Sequence, residues 1–171
     1  LVNTNKENLE SSINYFFYNK ELMIRALTHS SLVGKDDSYE ILEFLGDSIL
    51  NYVITKYLFF KYKKLNEGQL TKKKSRLVNS HTLTKVAKRI NLESNILVGP
   101  SLKKITNKII SDCYESLIAA IYLDSNLESA EKFINESLLN YLDFVETEMN
   151  YKGKLIELCS SRKISAPIFY T

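Results

Sequence analysis

"YEILEFLGDSIL", residues 39–50, places three carboxylates and a glycine inside a segment that otherwise reads as a buried helix. Ile41, Leu42, Phe44, Leu45, Ile49 and Leu50 point to all sides of a helix of 3.6 residues per turn, the pattern of a core helix. At about 100° per residue, Glu40, Glu43 and Asp47 fall within about 60° of one another and share one face. Ionised groups held so close require a proton or a counter-charge. Gly46 lowers helix stability by about 0.5–1 kcal/mol relative to Ala. Close approach of a second helix beside Asp47 is a sufficient reason for it.

A second stretch, "IISDCYESLIAAIYLD" at 109–124, repeats the pattern. Asp112 and Glu115 sit three apart among Ile109, Ile110, Leu117, Ile118, Ile121 and Leu123, and Ala119 and Ala120 leave room for a neighbouring backbone. Clustered carboxylates have three remedies: protonation, pairing with Lys or Arg, or binding of hard divalent cations. Neither acidic segment contains Lys or Arg, so pairing requires partners from elsewhere in the fold. Oxygen-only ligands suit Mg²⁺ or Mn²⁺ rather than zinc. A di-iron site would want Glu-x-x-His, and neither His29 nor His81 follows a Glu at that spacing. The favoured reading is metal binding by Glu43, Asp47, Asp112 and Glu115, against the plainer one of exposed acids on amphipathic helices.

The net charge of +3 conceals a segregation: residues 61–108 hold 13 Lys and Arg against 2 acids, net +11, and the remainder is net −8. The basic block, including "KYKK" (61–64), "KKKSR" (72–76) and "KVAKR" (85–89), is interrupted by apolar residues at helical spacing, so it reads as a folded surface. For any single lysine a solvated face is the ordinary explanation. For the block as a whole a polyanion such as nucleic acid is favoured. With 171 residues, 44% of them hydrophobic, the chain suffices for one main domain and a short extension. No apolar run reaches the roughly 18 residues of a membrane span, and "LVNTNKENLE" lacks a signal-peptide pattern, so the expectation is a soluble, cytoplasmic or organellar protein without membrane contact. Cys113 and Cys159 offer neither a disulfide framework nor zinc spacing and read as free thiols.

With five Gly, two Pro and no convincing alternation of apolar and polar residues, the fold class is all-α. Helices are expected at about 7–17, 20–28, 38–61, from Asn66 with a capping box to Gln69, from Asn79 or Ser80, and at about 106–123. "SNLE" (Ser125 to Glu128) reads as a further capping box opening a helix to about 148.

These motifs carry a resemblance. "YEILEFLGDSIL" is similar to the signature of the ribonuclease III family, "SDCYESLIAAIYLDS" resembles its second acidic helix, and "ALTHSSL" (26–32) and "LNEGQLTKKKSRLVNS" (65–80) resemble its intervening segments. The likeness runs from about residue 9 to 148. It implies a helical endonuclease domain over residues 1–149 that forms a homodimer with a catalytic valley and cleaves double-stranded RNA with Mg²⁺, leaving 5′-phosphate and 3′-hydroxyl ends. Glu43, Asp47, Asp112 and Glu115 match the catalytic metal ligands, Glu40 and Glu67 match auxiliary acids, and Phe44 matches the aromatic of the dimer interface. Lys72, Lys73, Lys74 and Arg76 are the candidate RNA-binding residues. Tyr39 and Ile41 depart from the Asn and Arg usual in the signature. Residues 150–171 resemble a linker and the truncated start of a double-stranded-RNA-binding domain, too short to fold as one. The competing readings are a non-catalytic scaffold of the same fold, against which the intact acid set argues, and a helical interaction protein that grips acidic partners through its lysines.

Overall fold

The computed structural model describes residues 4–141 and short pieces between 155 and 167, with side chains from Leu9 onward. Over residues 4–141 seven α-helices follow in order: α1 (Thr4–Ile13), α2 (Lys20–Ala26), α3 (Glu40–Lys61), α4 (Glu67–Leu77), α5 (Ser80–Arg89), α6 (Asn107–Asp124) and α7 (Leu127–Ile134). No strand forms among the described residues; the nearest approach is one parallel bridge between Thr28 and Leu97.

The helix starts follow their capping chemistry. Asn66 accepts from the Gln69 amide while the Gln69 side chain accepts from the Asn66 amide, closing the expected box at α4. Asn79 caps α5 and Thr106 caps α6. Two expectations need correction. α1 stops at Ile13 rather than 17, because Asn14 turns to a positive φ of 51° and ends the helix. The cap of α7 is Asn126, whose side chain accepts from the Ser129 amide, so the Ser125–Glu128 box does not form. Beyond Ile134 the chain widens into a π-helical turn at Asn135–Leu139. The expected continuation to 148 and most of the reading of residues 150–171 lie outside the described residues.

α6 is the axis of the domain. Every residue from Ile109 to Ile121 is buried except Glu115, and α3, α5, α2 and α7 pack around it. Hydroxyls tie the axis to its neighbours: Ser116 donates to the Ala26 carbonyl, Ser111 pairs with Ser80 at 2.8 Å, and Tyr114 meets Ser137 at 2.8 Å. α3 presents Leu42, Gly46, Ile49, Leu50, Val53, Ile54 and Leu58 to this core. Contrary to the all-round burial expected of it, its opposite face lies open, with Ile41 57% and Phe44 77% exposed and Tyr52 and Phe59 further along. That face is apolar because of something other than the domain's own core. At the crossing of α3 and α6, a Cβ on Gly46 would collide with the backbone carbonyl of Glu115. The glycine is therefore where the two acidic helices touch.

Candidate active site

That contact brings the acids together. One carboxylate oxygen from each of Glu43, Asp112 and Glu115 lies within 4.8 Å of the others. Glu43 and Glu115 are half-buried and Asp112 is buried. Asp47, one turn beyond Glu43 on α3, stays exposed at the edge of this triad, and its Oδ1 accepts from Asn51 Nδ2 at 2.7 Å. Its charge still acts on Glu43 and Glu115. Glu40 is half-buried a turn before Glu43 and adds to the same negative field.

The electrostatics are those of a site short of positive charge. Burial first, then the charges of Asp47, Asp112 and Glu43, push the Glu115 carboxyl up to about 8. Burial and the neighbouring Asp112 raise Glu43 in the same direction. Burial and the same acids raise the Cys113 thiol well above its ordinary value, which leaves it a protonated core residue rather than a nucleophile. Tyr39 is buried beside the acids, its phenol raised by burial and then by Cys113, Asp112, Glu43 and Glu40. At this position the chain sets a buried aromatic that packs edge-on against His29 at 5.7 Å between ring centres.

One partner was missed from the sequence. Lys108, in the first turn of α6 and just outside the quoted acidic segment, places its Nζ 2.8 and 3.1 Å from the two oxygens of Asp112 and 3.9 Å from Glu43. Contrary to the expectation that pairing cations must come from elsewhere in the fold, the acidic helix supplies its own. A Lys four residues before Asp112 was the available signal.

The donor set fits a hard divalent ion. Three carboxylates converge and no nitrogen or sulfur ligand stands among them, so Glu43, Asp112 and Glu115 would hold an oxygen-seeking ion such as Mg²⁺. Among the described residues, these three are the group whose ligand atoms lie close enough together to hold a metal ion.

The remaining candidates lie elsewhere. Glu67 is exposed in the first turn of α4, accepts from Thr71 Oγ1 at 3.1 Å, and lines an apolar groove of about 360 Å³ with Thr55, Leu58, Phe59, Leu70 and Lys74. Twelve residues along α3 separate Thr55 from Glu43, about 18 Å at 1.5 Å per residue, so within one chain Glu67 stands apart from the triad. On α4, Lys72 and Arg76 are exposed, Lys73 packs its ammonium 4.4 Å from the centre of the Tyr62 ring, and Lys74 forms part of the groove wall. Cys113 and Cys159 are free thiols, and no helix among the described residues is long and apolar enough to cross a membrane.

Known proteins resemble this chain in sequence and fold. A family model described as ribonuclease-III-like matches residues 19–142. The chain is 36% identical to ribonuclease 3 of Glaesserella parasuis over 170 residues, covering 95% of this chain and 75% of that one. It is 44% identical to ribonuclease 3 of Sinorhizobium medicae over 133 residues, covering 75% of this chain and 56% of the relative. The crystal structure of the nuclease domain of ribonuclease III from Campylobacter jejuni superposes with a TM-score of 0.76 at 38% identity, covering 81% of this chain and 96% of that domain. The helical order, the paired acidic helices and these likenesses agree, and the chain belongs to the ribonuclease III family of endoribonucleases.

Proposed function

We propose that the chain cleaves double-stranded RNA in a Mg²⁺-dependent reaction, with Mn²⁺ as a substitute, leaving 5′-phosphate and 3′-hydroxyl ends. The observation that carries this reading is the convergence of Glu43, Asp112 and Glu115 across the α3–α6 contact. Those three residues would hold the ion, with Asp47 at the rim available for a second. When bound, divalent ions there supply a nucleophile from water near neutral pH and stabilise charge developing on the phosphate and the leaving 3′ oxygen. The rigid crossing at Gly46 orients the ligands, and the buried flank of Tyr39 and Cys113 excludes water from one side of them. Incubating the protein with a long RNA duplex, with and without Mg²⁺, tests the proposal directly. Metal-dependent shortening with 5′-phosphate ends supports it, and an intact duplex under both conditions refutes it.

The basic surface of α4 would hold phosphates, reading A-form shape rather than base edges. Lys72 and Arg76, exposed and pointing to solvent, would carry more of this than Lys73 and Lys74, which are half-buried. Neutralising Lys72 and Arg76 together is therefore expected to weaken binding alike for unrelated duplexes and to lower the slope of log affinity against log salt by about 1–2. Filter binding at four salt concentrations measures it, and an unchanged slope moves the RNA track off α4.

The open face of α3 supports a homodimer as the working form. A related structure, the nuclease domain of Campylobacter jejuni ribonuclease III, is described by its flexibility in a region involved in dimer formation. In this chain Phe44 is the most exposed apolar residue of α3, and the groove between α3 and α4 is of a size and polarity to take a phenyl ring. Seating Phe44 in that groove of a second copy would bring its neighbour Glu43 toward Glu67 of the other chain, which gives the isolated Glu67 a role in a shared valley. A two-fold pair of acid clusters also matches the approximate two-fold symmetry of a duplex and allows both strands to be cut. Phe44→Asp is expected to shift the sedimenting species from dimer to monomer and to remove paired cutting. A wild-type chain that stays monomeric yet makes paired cuts would sink the dimer reading.

A further inference from the structure

Lys108 is a cation at the positive end of a helix, where the helix dipole disfavours it. It also precedes its acidic partner by four residues, the weaker of the two orders for a helical ion pair. Helix stability therefore does not account for it. The acid cluster does: its Nζ sits on both oxygens of Asp112 and near Glu43, and its charge lowers the proton affinity of Glu43 and Glu115 as well. The side chain is 76% exposed, so it leaves the cluster by rotating into solvent without disturbing the core.

We propose that Lys108 is the exchangeable counter-ion of the metal-free centre, an internal competitor that occupies the carboxylate lone pairs of Asp112 until a divalent cation displaces it. This rests on the reading of Glu43, Asp112 and Glu115 as cation ligands. The lysine keeps the empty cluster from repelling itself apart and sets a threshold that free Mg²⁺ must exceed. It is a positioning residue, acting through Asp112. Its removal has two linked consequences with one origin: the metal-free protein loses a favourable pair, and the cation gains a site that is one charge more negative and free of its competitor.

Calorimetric titration of the RNA-free protein with MgCl₂ at fixed ionic strength tests this. Lys108→Met is expected to bind Mg²⁺ about three- to tenfold more tightly than wild type, while Lys108→Arg, which keeps the charge, stays close to wild type. Thermal melting supplies the second readout. Lys108→Met should melt below wild type in EDTA, and the gap should close in saturating Mg²⁺, where the wild-type pair has already parted. Unchanged Mg²⁺ affinity, or an equal loss of melting temperature with and without Mg²⁺, would make Lys108 a merely structural partner and overturn the inference. Asp112→Asn separates this from failure of the ligand reading itself. If that variant binds Mg²⁺ like wild type, the ligand assignment falls and the inference with it. If it loses Mg²⁺ while Lys108→Met shows no tightening, the inference alone falls.

Discussion

Glu115→Gln is expected to lower RNA cleavage by at least about 100-fold in Mg²⁺ while leaving the helical fold intact, and to make the metal-free protein more stable at pH 8. Both effects come from one feature. The Glu115 carboxyl is held up to about 8 by burial and by Asp47, Asp112 and Glu43, against an ordinary value of 4.5. The folded state therefore binds a proton more tightly than the unfolded one, and the stability of the metal-free wild type falls as pH rises from about 4.5 to about 8 and then levels off. Glutamine keeps the shape and removes the ionisable group, so the variant should lose most of that slope. Bound Mg²⁺ should reverse the wild-type trend by stabilising the ionised cluster. Melting curves at pH 5 and pH 8.5, with and without Mg²⁺, measure all of this, and a duplex-cleavage assay measures the rate. Wild-type cleavage by the variant, or a wild-type pH slope in its melting temperature, would remove Glu115 from the site.

Gly46→Ala should be strongly destabilising for so small a substitution. Alanine improves on glycine in a helix by about 0.5–1 kcal/mol. The added Cβ, however, would strike the carbonyl carbon and oxygen of Glu115, and backbone cannot rotate away as a side chain end can. The two helices must separate, and they form the most extensive helix contact among the described residues. A net loss of about 3 kcal/mol, or about 6–12 °C in melting temperature for a domain of this size, is the expected result. Mg²⁺ affinity should fall too, because the same separation draws Glu43 away from Glu115. A variant that melts with wild type would refute a close contact between Gly46 and the Glu115 backbone.

The acids and the glycine were legible because they break rules that ordinary core helices keep. Carboxylates amid Ile and Leu, and a glycine in mid-helix, each need a partner, and two such helices supplied one another. The caps at Asn66 and Asn79 were legible for a similar reason, as local chemistry decides them. What depended on tertiary placement was not. The burial of one face of α3 could not be told from the burial of both, since apolar residues look the same whether the domain's own core or another surface covers them. The exposed position of Asp47 relative to its turn-mates follows from how α3 is rotated about Gly46, which no periodicity states. Lys108 was hidden by the boundary drawn around the acidic run, although its spacing from Asp112 was visible. At the start of α7, Ser125 and Asn126 are both good caps, and the path of the chain leaving α6 chose between them.

The burial of α6 and the exposure of α4 divide the domain by the depth at which it opens. No residue of α4 is buried, whereas twelve residues of α6 are. Amides in α4 are therefore exposed by local fraying well below the global unfolding free energy, and those of α6 only when the whole domain opens. A ligand that grips the axis slows the global event by mass action and leaves the fraying of α4 untouched. Under the proposed reaction the basic surface of α4 would thus be free to adapt its backbone to an incoming duplex while the carboxylates keep their registration. Compliance and rigidity reside in separate cooperative units of one small chain.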